Sequence, residues 1–211
     1  MKRLTGIILM IVFLIMSCGG ETGKKVEEAA KSGENAVKNV EETIKDKISG
    51  VKVLIIYYSE TGTTEKVANS LADTIKNTGI TVDIEKITPK EAYNQETMQD
   101  VVKKQFTDKI YPEINPVNKN IADYNLIIIG TPAWFGQPAQ PLIGYLQSQD
   151  FTGKKVAIYS TFGGNAGDVL KNTESYIKGA TFLPGVTLKG EEVKADKYLE
   201  ALKPWALGLF K

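Results

Sequence analysis

Six consecutive residues, Ser59-Glu60-Thr61-Gly62-Thr63-Thr64, set four hydroxyls and a glycine directly before a run of good helix formers. Backbone N–H groups converge at a helix start and the helix dipole favours negative charge, so this stretch suits a phosphate monoester. The same residues can also serve as a plain helix cap, with Thr63 or Thr64 satisfying orphan amides. A second stretch, Gly130-Thr131-Pro132-Ala133-Trp134-Phe135-Gly136-Gln137-Pro138, places a tryptophan and a phenylalanine among glycines and prolines. Large aromatics in a segment so prone to turns suit the covering of a flat aromatic ligand better than core packing. The third stretch, Thr161-Phe162-Gly163-Gly164-Asn165, pairs two glycines, which let backbone amides approach a ring edge, with one more apolar ring.

Composition narrows the chemistry further. The 211 residues contain no histidine, which removes the commonest general base, the histidine triads and most transition-metal sites. One cysteine forms neither an internal disulfide nor a multi-cysteine metal site, so no metal ligand set is expected. The 26 Lys plus Arg balance 25 Asp plus Glu, so no global field favours nucleic acid. Any chemistry is therefore expected to belong to a cofactor. The loop after Tyr58 has no Gly-Lys-Ser/Thr ending and the chain shows no Gly-x-Gly-x-x-Gly, which disfavours triphosphate and dinucleotide loops.

The elements that must position these loops alternate. Val51–Tyr58 is a continuous apolar run of strand length, as a strand buried on both faces requires. The pattern then predicts a helix over Glu65–Asn77, a strand over Ile80–Ile87, a strand over Leu126–Gly130 and a helix over Pro141–Gln149. A strand Lys155–Ser160, a helix Asp168–Lys178, a strand Thr181–Leu188 and a last helix Ala195–Leu209 complete it. This predicts an α/β fold, a doubly wound five-stranded parallel sheet with helices on both faces, and ligands at the carboxyl ends of its strands. The long polar stretch Pro89–Tyr124 is expected to carry a short helix around Gln95–Phe106 and an irregular loop. Tyr93 and Tyr111 lie in it, either to close over a ligand or as ordinary half-buried surface residues, the reading we prefer. Leu202, Trp205 and Leu209 share a face of the last helix and read as core, and Asp168 reads as a first-turn residue stabilised by the dipole.

Taken together, Tyr57-Tyr58-Ser59-Glu60-Thr61-Gly62-Thr63-Thr64, Gly130–Gly136 and Ser160–Gly164 resemble the three FMN loops of the flavodoxin family, in the right order over Val51–Lys211. The resemblance implies strand order 2-1-3-4-5, non-covalent FMN and electron transfer. By position it implies that Ser59, Thr61, Gly62, Thr63 and Thr64, with Glu60 in the same loop, hold the phosphate. Thr131, Pro132, Ala133, Trp134, Phe135 and Gly136, with Thr161, Phe162, Gly163, Gly164 and Asn165, would frame the isoalloxazine ring. Electron-shuttling flavodoxins are usually acidic, whereas residues 51–211 hold 18 Lys against 18 Asp plus Glu. The segments Ile87–Tyr93 and Asp150–Lys155 look more like a branch of small flavodoxin-like proteins. An electron carrier serving a redox partner protein or a small-molecule donor or acceptor is the first expectation. An FMN-dependent NAD(P)H:quinone or small-molecule oxidoreductase is the alternative, and a binding module without redox turnover the third.

The amino-terminal residues read as delivery. Lys2 and Arg3 precede the apolar run Leu4–Met16, short for a membrane span and suited to a signal-peptide core. Ile15-Met16-Ser17-Cys18 resembles the lipobox of bacterial lipoproteins, which implies cleavage after Ser17 and acyl chains on Cys18. An uncleaved anchor or an ordinary secreted protein is the competing reading. Residues 18–50 are charged, with Val26, Ala30, Val37, Val40, Ile44 and Ile48 at helical spacing, and suit a solvated spacer better than a partner-binding stripe. The expectation is thus a signal peptide over 1–17, a lipidated spacer over 18–50 and an FMN domain over 51–211. It would be exported and anchored to a bacterial membrane, at the outer face of the cytoplasmic membrane or at the outer membrane.

Overall fold

The apolar run opening the domain forms β1 (Lys52–Tyr57), in which Val53–Ile56 are wholly buried. A strand covered on both faces has no polar side to offer water, and here only Lys52, at its start, is exposed. The computed structural model describes residues 50–211. The expected signal peptide, Cys18 and the spacer before residue 50 lie outside the described residues.

After β1 come α1 (Thr63–Lys76), β2 (Thr81–Lys86), α2 (Met98–Asp108), a 3-10 turn at Ile121–Asp123, β3 (Leu126–Pro132) and α3 (Gln140–Ser148). They are followed by β4 (Lys155–Phe162), α4 (Val169–Ser175), β5 (Thr181–Phe182), β6 (Val186–Lys189), α5 (Gly190–Lys194) and α6 (Leu199–Gly208). The strands pair in parallel in the order β2-β1-β3-β4-β5, which is the expected doubly wound α/β sheet. Helix α1 buries Thr64, Val67, Ala68, Leu71, Ala72 and Ile75, a single face at helical spacing, and packs against α5 and α6. Helices α2 and α3 pack together.

Register carries this order to the site. Tyr57 stands opposite Gly130, Gly130 opposite Tyr159, and Pro132 opposite Thr161. The loops that follow β1, β3 and β4 therefore open side by side at one edge of the sheet, with Thr131, Pro132, Thr161 and Phe162 as the last residues of β3 and β4.

Two expected elements differ in the structure. The strand read over Thr181–Leu188 is two segments, β5 and β6, both paired to β4 and separated at Leu183–Gly185. Pro184 has no N–H for the ladder, and a Cβ at Gly185 would lie 2.9 Å from the Ile158 carbonyl oxygen. The helix read from Ala195 begins only at Leu199, because Asp196 has φ 59 and breaks the run after α5. Leu202 is fully buried, while Trp205 is half-buried and donates its Nε1–H to the Pro184 carbonyl at 2.7 Å. Asp168 is the N-cap residue of α4 and gives it no side-chain cap. Helix α2 begins at Met98, three residues after the expected Gln95.

Candidate functional site at the carboxyl ends of the strands

The first loop opens on a helix start capped by no side chain. Gly62 is the N-cap of α1, with φ 83 and no side-chain cap, so neither Thr63 nor Thr64 spends its hydroxyl on the cap as the plain-cap reading required. The left-handed φ is the reason for glycine here, since a side chain would be strained. Beneath the turn Ser59 is buried, 6% exposed, and its Oγ has no hydrogen-bond partner among the described residues. A buried hydroxyl without a partner costs free energy that a bound acceptor would recover. Thr61 and Thr63 bring their hydroxyls to 3.3 Å from one another at the surface. Thr64 and Thr161 share a 2.8 Å hydrogen bond, which ties the first loop to the third.

Glu60 is turned aside from this cradle. Its carboxylate accepts from the Tyr58 hydroxyl and, at 2.6 Å, from Gln95 Nε2. Glu65, in the first turn of α1, is occupied by Lys86 at 2.7 Å, which holds its carboxyl below the usual range. None of the three loops contains a lysine, so an anion here is held by neutral donors and the helix start.

The second loop is a hairpin-like turn. Trp134 and Gln137 exchange both backbone hydrogen bonds at 2.9 Å, and the two residues between them, Phe135 and Gly136, have φ 53 and 75. Two positive φ values in succession are what a type I′ turn demands, and phenylalanine is an uncommon occupant. Phe135 is 60% exposed, with the Phe106 ring edge-on at 6.3 Å and Lys103 Nζ 5.8 Å from its centroid. Thr131 closes the loop from inside, its hydroxyl accepting from the Ala139 N–H and donating to the Pro132 carbonyl, each at 3.0 Å. Pro132 and Ala133 follow it half-buried, and Ala133 N–H bonds the Thr161 carbonyl at 2.8 Å.

In the third loop Phe162 is half-buried and Gly163, Gly164 and Asn165 are exposed. Gly163 and Gly164 have no positive φ, and a Cβ at either would meet nothing within 4 Å. Neither backbone geometry nor protein crowding asks for glycine there; both leave open room beside the first loop. Asn165 Oδ1 accepts from Gly167 N–H and shapes the following turn. Gly190 joins this neighbourhood, because a Cβ on it would lie 3.3 Å from the Phe162 carbonyl oxygen and 3.8 Å from Thr63 Cγ2.

Trp134 is not a free-standing wall. It lies edge-to-face with Tyr58, centroids 5.4 Å apart, and with Tyr93, 5.5 Å apart, and packs against the main core. Tyr93 in turn donates to Gln105 Oε1 at 2.8 Å, and burial raises its hydroxyl pKa to about 12. Tyr58, Tyr93 and Gln95 were not read as site residues. Tyr58 was legible as the end of a buried strand touching the first loop, whereas Tyr93 and Gln95 sit in a stretch without a motif. Tyr111 lies elsewhere, against Gly144 of α3.

An orphaned hydroxyl under an uncapped helix start, two glycines facing open room and aromatic rings on the neighbouring turn, all at the carboxyl edge of a 2-1-3-4-5 sheet, define a binding site for a phosphorylated flat ring. The chain belongs to the flavodoxin family, whose model it matches over residues 52–206. It is similar to a flavoprotein from Lactobacillus acidophilus NCFM solved in complex with FMN, at 25% identity and TM-score 0.55, covering 70% of this chain and 98% of that one. A flavodoxin from the domain Archaea shares the fold at 14% identity and TM-score 0.51, over 76% of this chain and 96% of that one. An NAD(P)H dehydrogenase (quinone) from Bradyrhizobium sp. (strain ORS 278) is 33% identical over 115 residues, 54% of each chain. The chain thus spans about half the length of the curated relatives it matches. FMN is the cofactor that the family and the FMN-bound neighbour support, and the residues present fit it.

Proposed function

We propose that this protein binds one FMN non-covalently at the carboxyl edge of its sheet and serves in electron transfer. The observation that carries the reading is the first loop: a helix start with no side-chain cap above a buried hydroxyl that has no partner among the described residues. Ser59, Thr61, Gly62, Thr63 and Thr64 hold the phosphate through hydroxyls and first-turn amides. Trp134 and Phe135 on one side and Phe162–Asn165 on the other frame the ring. FMN, when bound, supplies the redox chemistry, accepting and releasing one or two electrons. The chain's own part is to orient the ring and to keep charge and water from it, through the edge-to-face cluster of Tyr58, Trp134 and Tyr93 and through Glu60 held away from the phosphate.

The experiment is a flavin titration of the full-length protein. Gly62→Asp is expected to abolish FMN binding, because it sets a carboxylate against a dianion in a turn that also disfavours a side chain. Riboflavin, which has no phosphate, should be affected far less. An unchanged FMN affinity in Gly62→Asp refutes the phosphate assignment.

A second reading, an FMN-dependent NAD(P)H:quinone oxidoreductase, is favoured by the names of the curated relatives. Stopped-flow mixing of the FMN-loaded protein with NADH and NADPH separates the two, since rapid flavin bleaching is expected only of the enzyme. We further propose export and tethering to a bacterial membrane through acyl chains on Cys18, on the resemblance of Ile15–Cys18 to a lipobox.

A further inference from the structure

The two edges of the sheet differ in charge. Every strand pair is parallel, so all strands start at one edge, where Thr81 stands in register with Lys52 and Thr181 with Lys155. Backbone bonds close the row, from Asn125 N–H to the Lys52 carbonyl and from Thr181 N–H to the Lys154 carbonyl, each at 2.9 Å. The segments that enter these starts, 50–52, 76–81, 119–126, 148–155 and 175–181, hold Lys52, Lys76, Lys119, Lys154, Lys155 and Lys178 against two acids, Asp123 and Asp150. The opposite edge has no such excess: over 57–63, 86–98, 132–140, 162–169 and 189–190, Lys86, Lys90 and Lys189 are outnumbered by Glu60, Glu91, Glu96 and Asp168. A domain balanced at 18 Lys and 18 Asp plus Glu is therefore polarised along its strands, with the basic end away from the FMN site.

We propose that the amino edge of the sheet is a docking surface for an anionic lipid bilayer, and that docking turns the FMN site away from the membrane. The inference rests on the membrane location proposed above and is independent of FMN. Charge complementarity selects the partner, since anionic headgroups attract lysines within about a Debye length of the bilayer surface. Lys52, Lys76, Lys155 and Lys178 are exposed, and none of them is in a salt bridge among the described residues. Lys119 pairs with Asp83 at 3.2 Å, and Lys154 donates to the Ala122 and Tyr124 carbonyls at 2.7 and 2.8 Å, so these two contribute less. Five strands about 4.8 Å apart spread the four exposed lysines over roughly 20 Å, which fits an extended polyanionic surface and not one small anion. A membrane is the polyanion that the proposed anchor brings within reach. The chain also enters the domain at this edge, because β1 starts at Lys52, so a tether from Cys18 leaves from the docked side. Four lysines make a salt-sensitive contact that orients a tethered domain; they do not hold it alone.

The test has two arms. In the first, the full-length protein is mixed with vesicles of phosphatidylcholine alone or of phosphatidylcholine with phosphatidylglycerol, and lysine acetylation is followed by mass spectrometry. Lys155 and Lys178 are expected to react about fivefold more slowly on the anionic vesicles only, while the exposed Lys90 and Lys103 react as in solution. In the second, Cys18→Ala removes the acylation site, and Lys52→Gln, Lys155→Gln and Lys178→Gln are combined in that background. The combined variant is expected to lose about tenfold or more in affinity for the anionic vesicles at low salt, with the loss shrinking as salt rises and with FMN affinity and thermal unfolding unchanged. The proposal is overturned if protection is equal on both kinds of vesicle, if it falls on Lys90 and Lys103 instead, or if the combined variant keeps its parent's affinity. A DNA duplex bound as tightly as the vesicles at the same salt would also overturn it, making the edge a nucleic-acid surface. An unmodified Cys18 would count against the anchor alone, because the second arm does without acylation.

Discussion

At the scale of single residues, the site depends on glycines that do different work. Gly130 is there for packing: a Cβ on it would fall 2.2 Å from Tyr159 Cζ, inside a ring that is wholly buried. The Tyr159 hydroxyl donates to the Thr64 carbonyl at 3.2 Å, so this ring links the middle of the sheet to the start of α1. Gly130→Ala is expected to cost at least about 2 kcal/mol in a denaturant unfolding series, because the ring cannot leave without opening a cavity. Gly163 and Gly164 face open room instead. The two kinds of glycine look alike in the sequence, which explains why the loops were legible as motifs but their internal roles were not. Trp134 shows the same limit. Its place beside Pro132 and Gly136 marked it as a ligand wall, yet nothing in the local sequence could show the edge contacts from Tyr58 and Tyr93. Trp134→Ala is therefore expected to do two things. It should weaken FMN binding by about tenfold and lower stability by about 2 kcal/mol, since a gap between two tyrosines accompanies the loss of the ring wall. Parallel flavin titration and thermal unfolding read the two effects. A stability loss with unchanged FMN affinity would make Trp134 a packing residue only.

At the scale of elements, the strands and long helices followed from periodicity because each buries one side of a repeating pattern, as α1 does with Val67, Leu71 and Ile75. The failures lie where a tertiary contact interrupts a pattern. Thr181–Leu188 reads as one strand, and only the contact of Gly185 with Ile158 and the bond from Trp205 to Pro184 explain its division. The stretch before β3 was the least legible. In the structure it is fastened along the sheet edge: Asp83 of β2 accepts from the Tyr124 hydroxyl at 2.8 Å and pairs with Lys119 at 3.2 Å. The Tyr124 bond, with help from Lys119, holds the Asp83 carboxyl below its usual range. A lowered carboxyl pKa gives stability that is present above the unfolded value, about 3.9, and is lost as pH falls through the folded one. Tyr124→Phe keeps the ring packing and removes the bond. It is expected to be less stable than the wild type at pH 7, with the difference narrowing between about pH 5 and pH 3. Urea midpoints measured across that range check it, and a constant difference would mean that the hydroxyl acts without Asp83. Asp83 is about as exposed as its partner Lys119, so the effect should be modest.

At the scale of the whole molecule, the described domain has a charge balance unlike that of a soluble acidic shuttle, with 18 Lys against 18 Asp plus Glu. Long-range steering of a partner gains little from such a surface. The proposed tether supplies another way to raise encounter rates, since confinement near a membrane concentrates the domain beside membrane-borne electron carriers. The anchoring half of this picture rests on Cys18 alone, because no other cysteine is present to be acylated. A single acyl chain holds a protein only marginally, whereas several hold it stably. Cys18→Ala is therefore expected to leave FMN affinity unchanged and to move the protein out of the membrane fraction, or to leave it as an unprocessed precursor that retains residues 1–17. Flavin titration, fractionation and mass spectrometry of the amino terminus read the three quantities together. A wild-type protein found in the membrane with an unmodified Cys18 would overturn the lipid anchor, and the apolar run Leu4–Met16 would then have to hold the domain at the membrane by itself.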